Sequence, residues 1–540
     1  MRTAFRTPAL RQPFLLLFLL ALFFVMSYFS RMTVANTNPI ARAREPDPAL
    51  QSTWYRPWFL LLFPLYAILH VSIDNLALLE VRFVWKEWAA LIAIPAGFYL
   101  LCSLCFRNAG KGALASVLFC YLFICGPAFK VWLNTHVPVF LTSSLLWALL
   151  LIPIATWILL QIRRGTKRLW KAISFTNALL LVLLLVEGVR YISIGPQDQL
   201  LVRAAKIRVP EHAATPNGPL PDVYHLVFDE YASSAQLAKM GFNNDALESE
   251  LSAMGFHVID SSRSNYRSTM LSMSSVFNAM YLDNLDTTKP PRYSDYLRGQ
   301  ETIARAPLFQ MLRAEGYELM NYSNFPIEGA RQLVQRYDYW DQRGLYRSQN
   351  LFSYFHYELG WRLPPGLRHA WGNTDEDYLT WRFSYHDALL RGLDSLSRSK
   401  SLKPRFVYAH FQIPHAPYSY DSAGRHQSTV IPRNRDEELR AYLAQVRYAN
   451  KLMLRITSGI IHQQDSVRPF VIILQSDHGV RLQFRANDLS SHHNFSALYY
   501  SDRNYVDLQD NMMLVNTYPV VIEHFFKVGL LREPDKTAQY

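Results

Sequence analysis

Residues 222–230 read DVYHLVFDE, an apolar run rich in strand formers that ends in two adjacent acids, Asp229 and Glu230. It is a buried β-strand by composition and length. The same grammar returns twice further on. Residues 470–475, FVIILQ, run into Ser476-Asp477-His478-Gly479, and residues 406–413, FVYAHFQI, run into Pro414-His415. In open α/β sheets, binding residues gather outside the carboxyl ends of the strands. The three endings therefore predict one rim that carries Asp229, Glu230, His415, Asp477 and His478.

The intervening sequence supplies the helices such a sheet requires. DALESELSAMGFHVI (245–259) reads as a helix stopped at Gly255 and followed by a strand, and APLFQMLRAEGYELMNY (306–322) repeats this with Gly316 at the stop. Glycine suits the left-handed residue that ends a helix. Further helices are expected before FVYAHFQI, from about Glu437 to Ile461, and from about Tyr518 to Leu530. Alternating strands and helices predict an α/β domain with a mostly parallel central sheet flanked by helices, spanning 222–530. Residues 193–221 contain Pro210, Pro216, Gly218, Pro219 and Pro221, the composition of a linker.

Upstream the character changes. Apolar runs extend from Pro13 to Ser30, Trp58 to Ile73, Trp88 to Phe106, Gly112 to Leu133, Val137 to Ile162 and Ile173 to Ile192. Each approaches or exceeds the ~20 residues a helix needs to cross a ~30 Å hydrocarbon core. Residues 1–192 thus read as a transmembrane bundle of five or six spans. Arg163, Arg164, Lys167, Arg168 and Lys171 lie in one short loop, and Arg107 and Lys111 in another. Basic loops stay in the cytoplasm, so the last span exits outward and the α/β domain lies on the periplasmic or extracellular face of a cytoplasmic (inner) membrane. Six spans would place Arg2, Arg6 and Arg11 outside, whereas initiation at Met32 leaves five. The net charge of +12 belongs largely to these membrane-flanking basic residues, which points to anionic lipid and away from nucleic acid. All four cysteines, Cys102, Cys105, Cys120 and Cys125, fall inside the spans, so the exported domain has no disulfide.

Carboxylate and imidazole are ligands for a divalent, zinc-like ion, and a cation relieves the repulsion among clustered acids. Alone, an acidic pair is ordinarily a cap or a solvated turn; three strand ends that converge make the metal reading the stronger. The remaining chemical element is SNYRSTMLSMSSVFNAMYL (264–282), a helix entered at a hydroxyl cluster, with Thr269 near its start. Free N–H groups and the helix dipole at that end favour a phosphate-like anion and a lowered hydroxyl pKa.

In these residues the chain resembles the alkaline phosphatase and sulfatase superfamily, and within it a membrane-bound sulfatase-like branch related to the phosphoethanolamine transferases and lipoteichoic acid synthases. The resemblance spans about Asp222 to Phe526 and implies an alkaline phosphatase-like fold. It also implies metal ligands Glu230, Thr269, Asp477 and His478, with Asp229 an additional ligand, and Thr269 as nucleophile. His415, in PHAPYSYD, is similar to a mid-domain histidine that contacts the transferred group, and His492 or His493 to a later substrate-binding histidine. No C/S-x-P-S-R signature is present, which lowers the expectation of formylglycine-type sulfate hydrolysis. The implied activity is transfer of a phospho-head-group, such as phosphoethanolamine or phosphoglycerol, from a lipid donor to an envelope glycan or lipid through a phosphothreonine, with zinc or manganese. The alternatives are a sulfatase-like hydrolase, either phosphodiesterase or sulfuric ester hydrolase, and a non-catalytic envelope scaffold.

Overall fold

The computed structural model describes residues 56–127, 129–130, 133, 143–164, 170–194, 200–202, 219–337, 340–347, 350–352, 355–356, 375–399, 401–430, 432, 434–463, 468–482 and 489–538. The first expected span, Pro13 to Ser30, and most of the expected linker lie outside the described residues. The chain divides into two compact units. One takes Met1–Gln197, Arg292–Ser294 and Trp340–Thr374, and the other takes Asp198–Pro291, Asp295–Tyr339 and Asp375–Tyr540.

The first unit contains helices α1 (Phe59–Ile73), α2 (Val81–Phe106), α3 (Ala109–Cys120, continued by a π-helical turn over Tyr121–Cys125), α4 (Ser144–Arg164) and α5 (Trp170–Ser193). Among the described residues, the segments Val81–Phe106, Leu145–Arg164 and Ala172–Ser193 are long and apolar enough to cross a membrane. The 15 residues of α1 reach only about 22 Å at 1.5 Å per residue, short of a hydrocarbon core, although a span is expected there. Polar side chains tie α1 to α5 at both ends. Asn177 accepts a hydrogen bond from the Phe59 N–H (2.8 Å) and donates to the Arg56 carbonyl (2.9 Å). At the other end the buried Glu187 carboxylate meets His70 Nδ1 and Arg190, each at 2.6 Å. The described residues 340–347 belong to this unit. Tyr346 hydrogen-bonds Ser72 Oγ (2.8 Å) and Arg347 pairs with Glu87 (2.8 Å).

In the second unit the elements follow as β1 (Asp222–Phe228), α6 (Ser234–Lys239), α7 (Asp245–Met254), β2 (His257–Val258), α8 (Thr269–Asn278), α9 (Tyr293–Ala304), α10 (Pro307–Ala314), β3 (Glu318–Tyr322) and β4 (Arg331–Gln332). The short α11 (Arg343–Arg347) belongs to the first unit. Then come α12 (Asp375–Ser397), β5 (Arg405–Phe411), β6 (Tyr418–Tyr420), β7 (His426–Val430), α13 (Arg435–Gln463), β8 (Phe470–Gln475), β9 (Ser496–Tyr500) and α14 (Thr517–Phe526). The 7-stranded sheet has the order β2-β9-β8-β1-β5-β3-β4. Neighbours from β8 to β4 are parallel, while β9 runs antiparallel to β8 and β2 to β9.

β1 lies between β5 and β8 and every one of its residues is buried, as are those of its two neighbours. Leu226, Phe228, Val407 and Leu474 are each 0% exposed, and full burial of such a side chain contributes about 1.5–3 kcal/mol. Register sets the site. Val227 stands opposite both His410 and Gln475, so the residues that follow the three strands emerge together at one edge. Local signals end the helices as expected: Gly255 (φ 94°) and Gly316 (φ 83°) take the left-handed positions after α7 and α10.

Candidate active site

Asp229 leaves β1 with its N–H donating to the Phe411 carbonyl (2.9 Å), and its own carbonyl accepts from the His415 N–H (3.1 Å). The turn after β1 is thereby fixed to the end of β5. Glu230 follows at φ 67°, a left-handed conformation that is uncommon for a non-glycine residue and worth reading as a functional signal. Beyond β8, Asp477 Oδ1 accepts from the backbone N–H groups of Glu230 (3.1 Å) and His478 (2.9 Å). Its other oxygen, Oδ2, is buried and receives no well-formed hydrogen bond among the described residues, and the same holds for Asp229 Oδ1.

His478 turns Nδ1 to the Gly479 carbonyl (2.8 Å); with the proton assigned to Nδ1, Nε2 presents a lone pair. That nitrogen lies 3.3 Å from Asp477 Oδ2 and 3.7 Å from Asp229 Oδ1, and 3.3 Å from Thr269 Oγ1. Thr269 is the first residue of α8, as its hydroxyl-rich approach predicts. Ser272, one turn on, donates to the Asp477 carbonyl at 2.6 Å and holds the helix start against the end of β8.

Three electron-rich atoms facing one another in a buried space call for a cation. Asp229, Asp477 and His478 each offer a ligand atom, and these lie within 4.8 Å of one another. Two carboxylates with one imidazole suit a divalent metal ion, and the orphaned oxygens are what such an ion satisfies. The residues fit the group. The electrostatics agree: burial, then the charges of Asp477 and Glu230, push the Asp229 carboxyl well above the usual carboxylate range. Burial lowers His478 to about 4, which leaves it neutral and ready to ligate.

The other expected residues separate into two groups. Glu230 and His415 reach the site but face Arg481, whose Nε–H donates to Glu230 Oε1 (2.8 Å) and whose Nη2 lies 3.4 Å from His415 Nε2. Burial and the neighbouring Arg481 lower His415 to about 3. His492 and His493 are not among the three residues whose ligand atoms cluster. His492 Nδ1 hydrogen-bonds the Ser264 carbonyl (2.9 Å), and the His493 carbonyl accepts from the Ser233 N–H (3.1 Å), so this segment stitches neighbouring loops.

Three residues of the site were not singled out from the sequence. Arg481 stands two positions after Asp-His-Gly, where a cation beside an anion-handling motif is a usable signal. His410 interrupts an apolar strand; its Nε2 lies 4.0 Å from Asp229 Oδ2 while Nδ1 pairs with the Tyr408 hydroxyl (2.7 Å). Arg382, 0% exposed, donates to the carbonyls of Pro417 and His415 (2.8 Å each) and of Gln412, fixing the loop that carries His415. Nothing local in α12 announces that role.

A family model described as Sulfatase matches residues 224–516. No curated protein matches the chain. Among solved structures, the chain is similar to the integral membrane lipooligosaccharide phosphoethanolamine transferase A from Neisseria meningitidis (14% identity, 89% of this chain and 86% of that chain, TM-score 0.37). It is also similar to the zinc-complexed periplasmic domain of EptC from Escherichia coli (14% identity, 61% and 90%, TM-score 0.34). A third is the phosphonate monoester hydrolase of Agrobacterium radiobacter (13% identity, 59% and 78%, TM-score 0.35). At these scores the family match alone carries weight.

Proposed function

The chain belongs to the sulfatase family, and from that premise we propose that this enzyme is a membrane-anchored transferase that moves a phospho-head-group from a lipid donor to an envelope glycan or lipid through Thr269. The observation that carries the reading is the Thr269 hydroxyl, at a helix start, 3.3 Å from His478 Nε2 and beside the orphaned oxygens of Asp229 and Asp477. A threonine oxygen suits displacement at phosphorus. Apolar helices in the same chain support a donor that resides in the bilayer, because tethering raises the effective concentration of such a substrate. The basic residues Arg163 and Arg164 at the end of α4 support a catalytic domain on the periplasmic or extracellular side of a cytoplasmic membrane.

A divalent cation, zinc or manganese, held by Asp229, Asp477 and His478 would supply Lewis acidity at the threonine and phosphoryl oxygens. In the first half-reaction Thr269 Oγ1 bonds to phosphorus as the bond from phosphorus to the diacylglycerol oxygen breaks. The threonine proton ends on that departing oxygen. In the second half an acceptor hydroxyl displaces Thr269, which regains a proton. Burial of α8 from Met270 to Asn278 keeps the nucleophile's scaffold rigid, and its N-terminal N–H groups favour the phosphoryl anion.

Incubating the purified, metal-loaded protein with labelled phosphatidylethanolamine or phosphatidylglycerol and an envelope lipid fraction tests the reading. Diacylglycerol together with a labelled acceptor supports transfer. Free labelled head-group in place of labelled acceptor assigns a hydrolase, and no turnover of either lipid removes the proposal.

A further inference from the structure

The chain after β3 reads FPIEGARQLVQR (325–336) and closes against the end of α9. The Glu328 N–H donates to the Ala304 carbonyl (2.9 Å). Gln332 Nε2 donates to the Ser323 and Val334 carbonyls (2.8 and 3.0 Å), and its Oε1 accepts from Asn321 (2.9 Å). These bonds shape a cleft of about 550 Å³, with Pro326, Ile327 and Ala330 as its apolar wall and Arg305, Glu328 and Arg336 as its charges. Its size and mixed lining are those of a small-ligand site. The Arg336 Nε–H donates to the Asn324 carbonyl (3.2 Å), which orients the guanidinium. The Arg305 side chain is 51% exposed beside Glu301 (3.4 Å), a surface pair that adds little stability by itself.

The cleft flanks the catalytic edge and shares no residue with the metal group. Tyr322, the last residue of β3, stands opposite Ala409, so the chain leaves β3 on the edge where β1, β5 and β8 end. Two rings lie between. Phe325, next to Pro326, meets His410 edge to face at 5.6 Å, and His410 Nε2 lies 4.0 Å from Asp229 Oδ2. A ligand in the cleft therefore sits beside the reacting centre and not on it. Two arginines against one glutamate leave the cleft positive, and guanidinium matches the paired oxygens of a phosphate or carboxylate. Pro326 and Ile327 offer an apolar face to a sugar ring, and Glu328 an acceptor for its hydroxyls. We propose that the cleft is an acceptor subsite, in which Arg305 and Arg336 bind the phosphate or carboxylate of an acidic sugar. This rests on the phosphoryl-transfer reading of the site and makes the acceptor an acidic glycan.

The test titrates the full-length protein in detergent with glucose 6-phosphate, glucuronate and glucose by calorimetry, metal-loaded and again after chelation. At least one of the acids should bind about 10-fold or more tighter than glucose in both states, the range of a hydrogen bond to a charged group; the tighter acid assigns phosphate or carboxylate as the group recognised. Arg336→Met and Arg305→Met should each weaken that acid by roughly 10-fold with metal content unchanged. Ala330→Glu keeps both arginines and adds a negative charge to the wall, so it should weaken the acid by a similar factor. In transfer assays with the same acid as acceptor, Arg336→Met should raise the acceptor KM more than the donor KM. Acids that bind no tighter than glucose overturn the proposal, as do unchanged affinities in all three variants or acid binding that vanishes on chelation. Failure to turn over lipid removes the acceptor role along with the transferase reading, while the titrations decide the acid-binding cleft separately.

Discussion

Asp229 Oδ1 is a buried oxygen that no donor reaches among the described residues, and an unsatisfied buried polar group costs about 1–3 kcal/mol. The site is therefore strained without its cation, and this gives a prediction with a definite sign. Burial and the charges of Asp477 and Glu230 push the Asp229 carboxyl well above the usual carboxylate range, so its ionised form is the strained one. Chelated Asp229→Asn should melt at or above the chelated wild type and bind no metal; a lower melting temperature contradicts the charge-strain account. Thr269→Ala should keep the metal and lose turnover by roughly 1000-fold or more, and near-wild-type turnover would exclude Thr269 as nucleophile. The sequence made Thr269, Asp229, Asp477 and His478 legible because each sits at a local boundary, a strand end or a helix start. Arg481 and His410 escaped because their meaning depends on partners far along the chain, Glu230 251 residues away for the arginine and the facing acid Asp229 for the histidine.

Two elements hold the reactive groups in place. Through Ser272, α8 is tied to the Asp477 carbonyl at 2.6 Å. Ser272→Ala should cost about 1 kcal/mol of stability and lower kcat with metal content unchanged; a pure stability loss with normal kcat contradicts a positioning role for this bond. From α12, Arg382 gathers three loop carbonyls around His415. Arg382→Met takes this donor from all three carbonyls, leaving the His415 carbonyl with Gln445 alone, and should lower the melting temperature markedly, which calorimetry can read. At this scale the sequence was informative about helix stops, since glycine writes them locally, and about the strands β1, β5 and β8, since continuous apolar runs write them too. The antiparallel pairing of β9 with β8, and the hairpin of β6 and β7 behind His415, depend on pairings between segments that carry no local mark. In the helical unit, the contact of Glu187 with His70 likewise joins residues 117 positions apart, and composition alone shows only that charges are few there.

For the whole molecule, buried neutral histidines make acid the natural denaturant. Burial, then the His410 charge, lowers His225 to about 3; burial lowers His410 to about 4; and His386 lies well below the usual histidine value, by burial and the nearby Arg382. An unfolded histidine titrates near 6.5. Between about pH 6.5 and 4 the unfolded chain binds protons that the folded chain excludes, so this stability is intact above 6.5 and is lost as pH falls through that window. Melting temperatures measured down this range should fall steadily, and a flat profile contradicts the assignment of neutral, buried rings. The class of the molecule, apolar helices followed by an α/β domain with a mostly parallel sheet, was readable from the order of its apolar runs. The central claim is that a lipid's phospho-head-group passes through Thr269. Acid-quenching the metal-loaded protein after incubation with phosphatidylethanolamine or phosphatidylglycerol, without acceptor, and mapping its peptides by mass spectrometry tests it most directly. The account predicts the head-group adduct on the peptide carrying Thr269 and its absence in Thr269→Ala; turnover with no adduct there, or with the adduct on another residue, would contradict it.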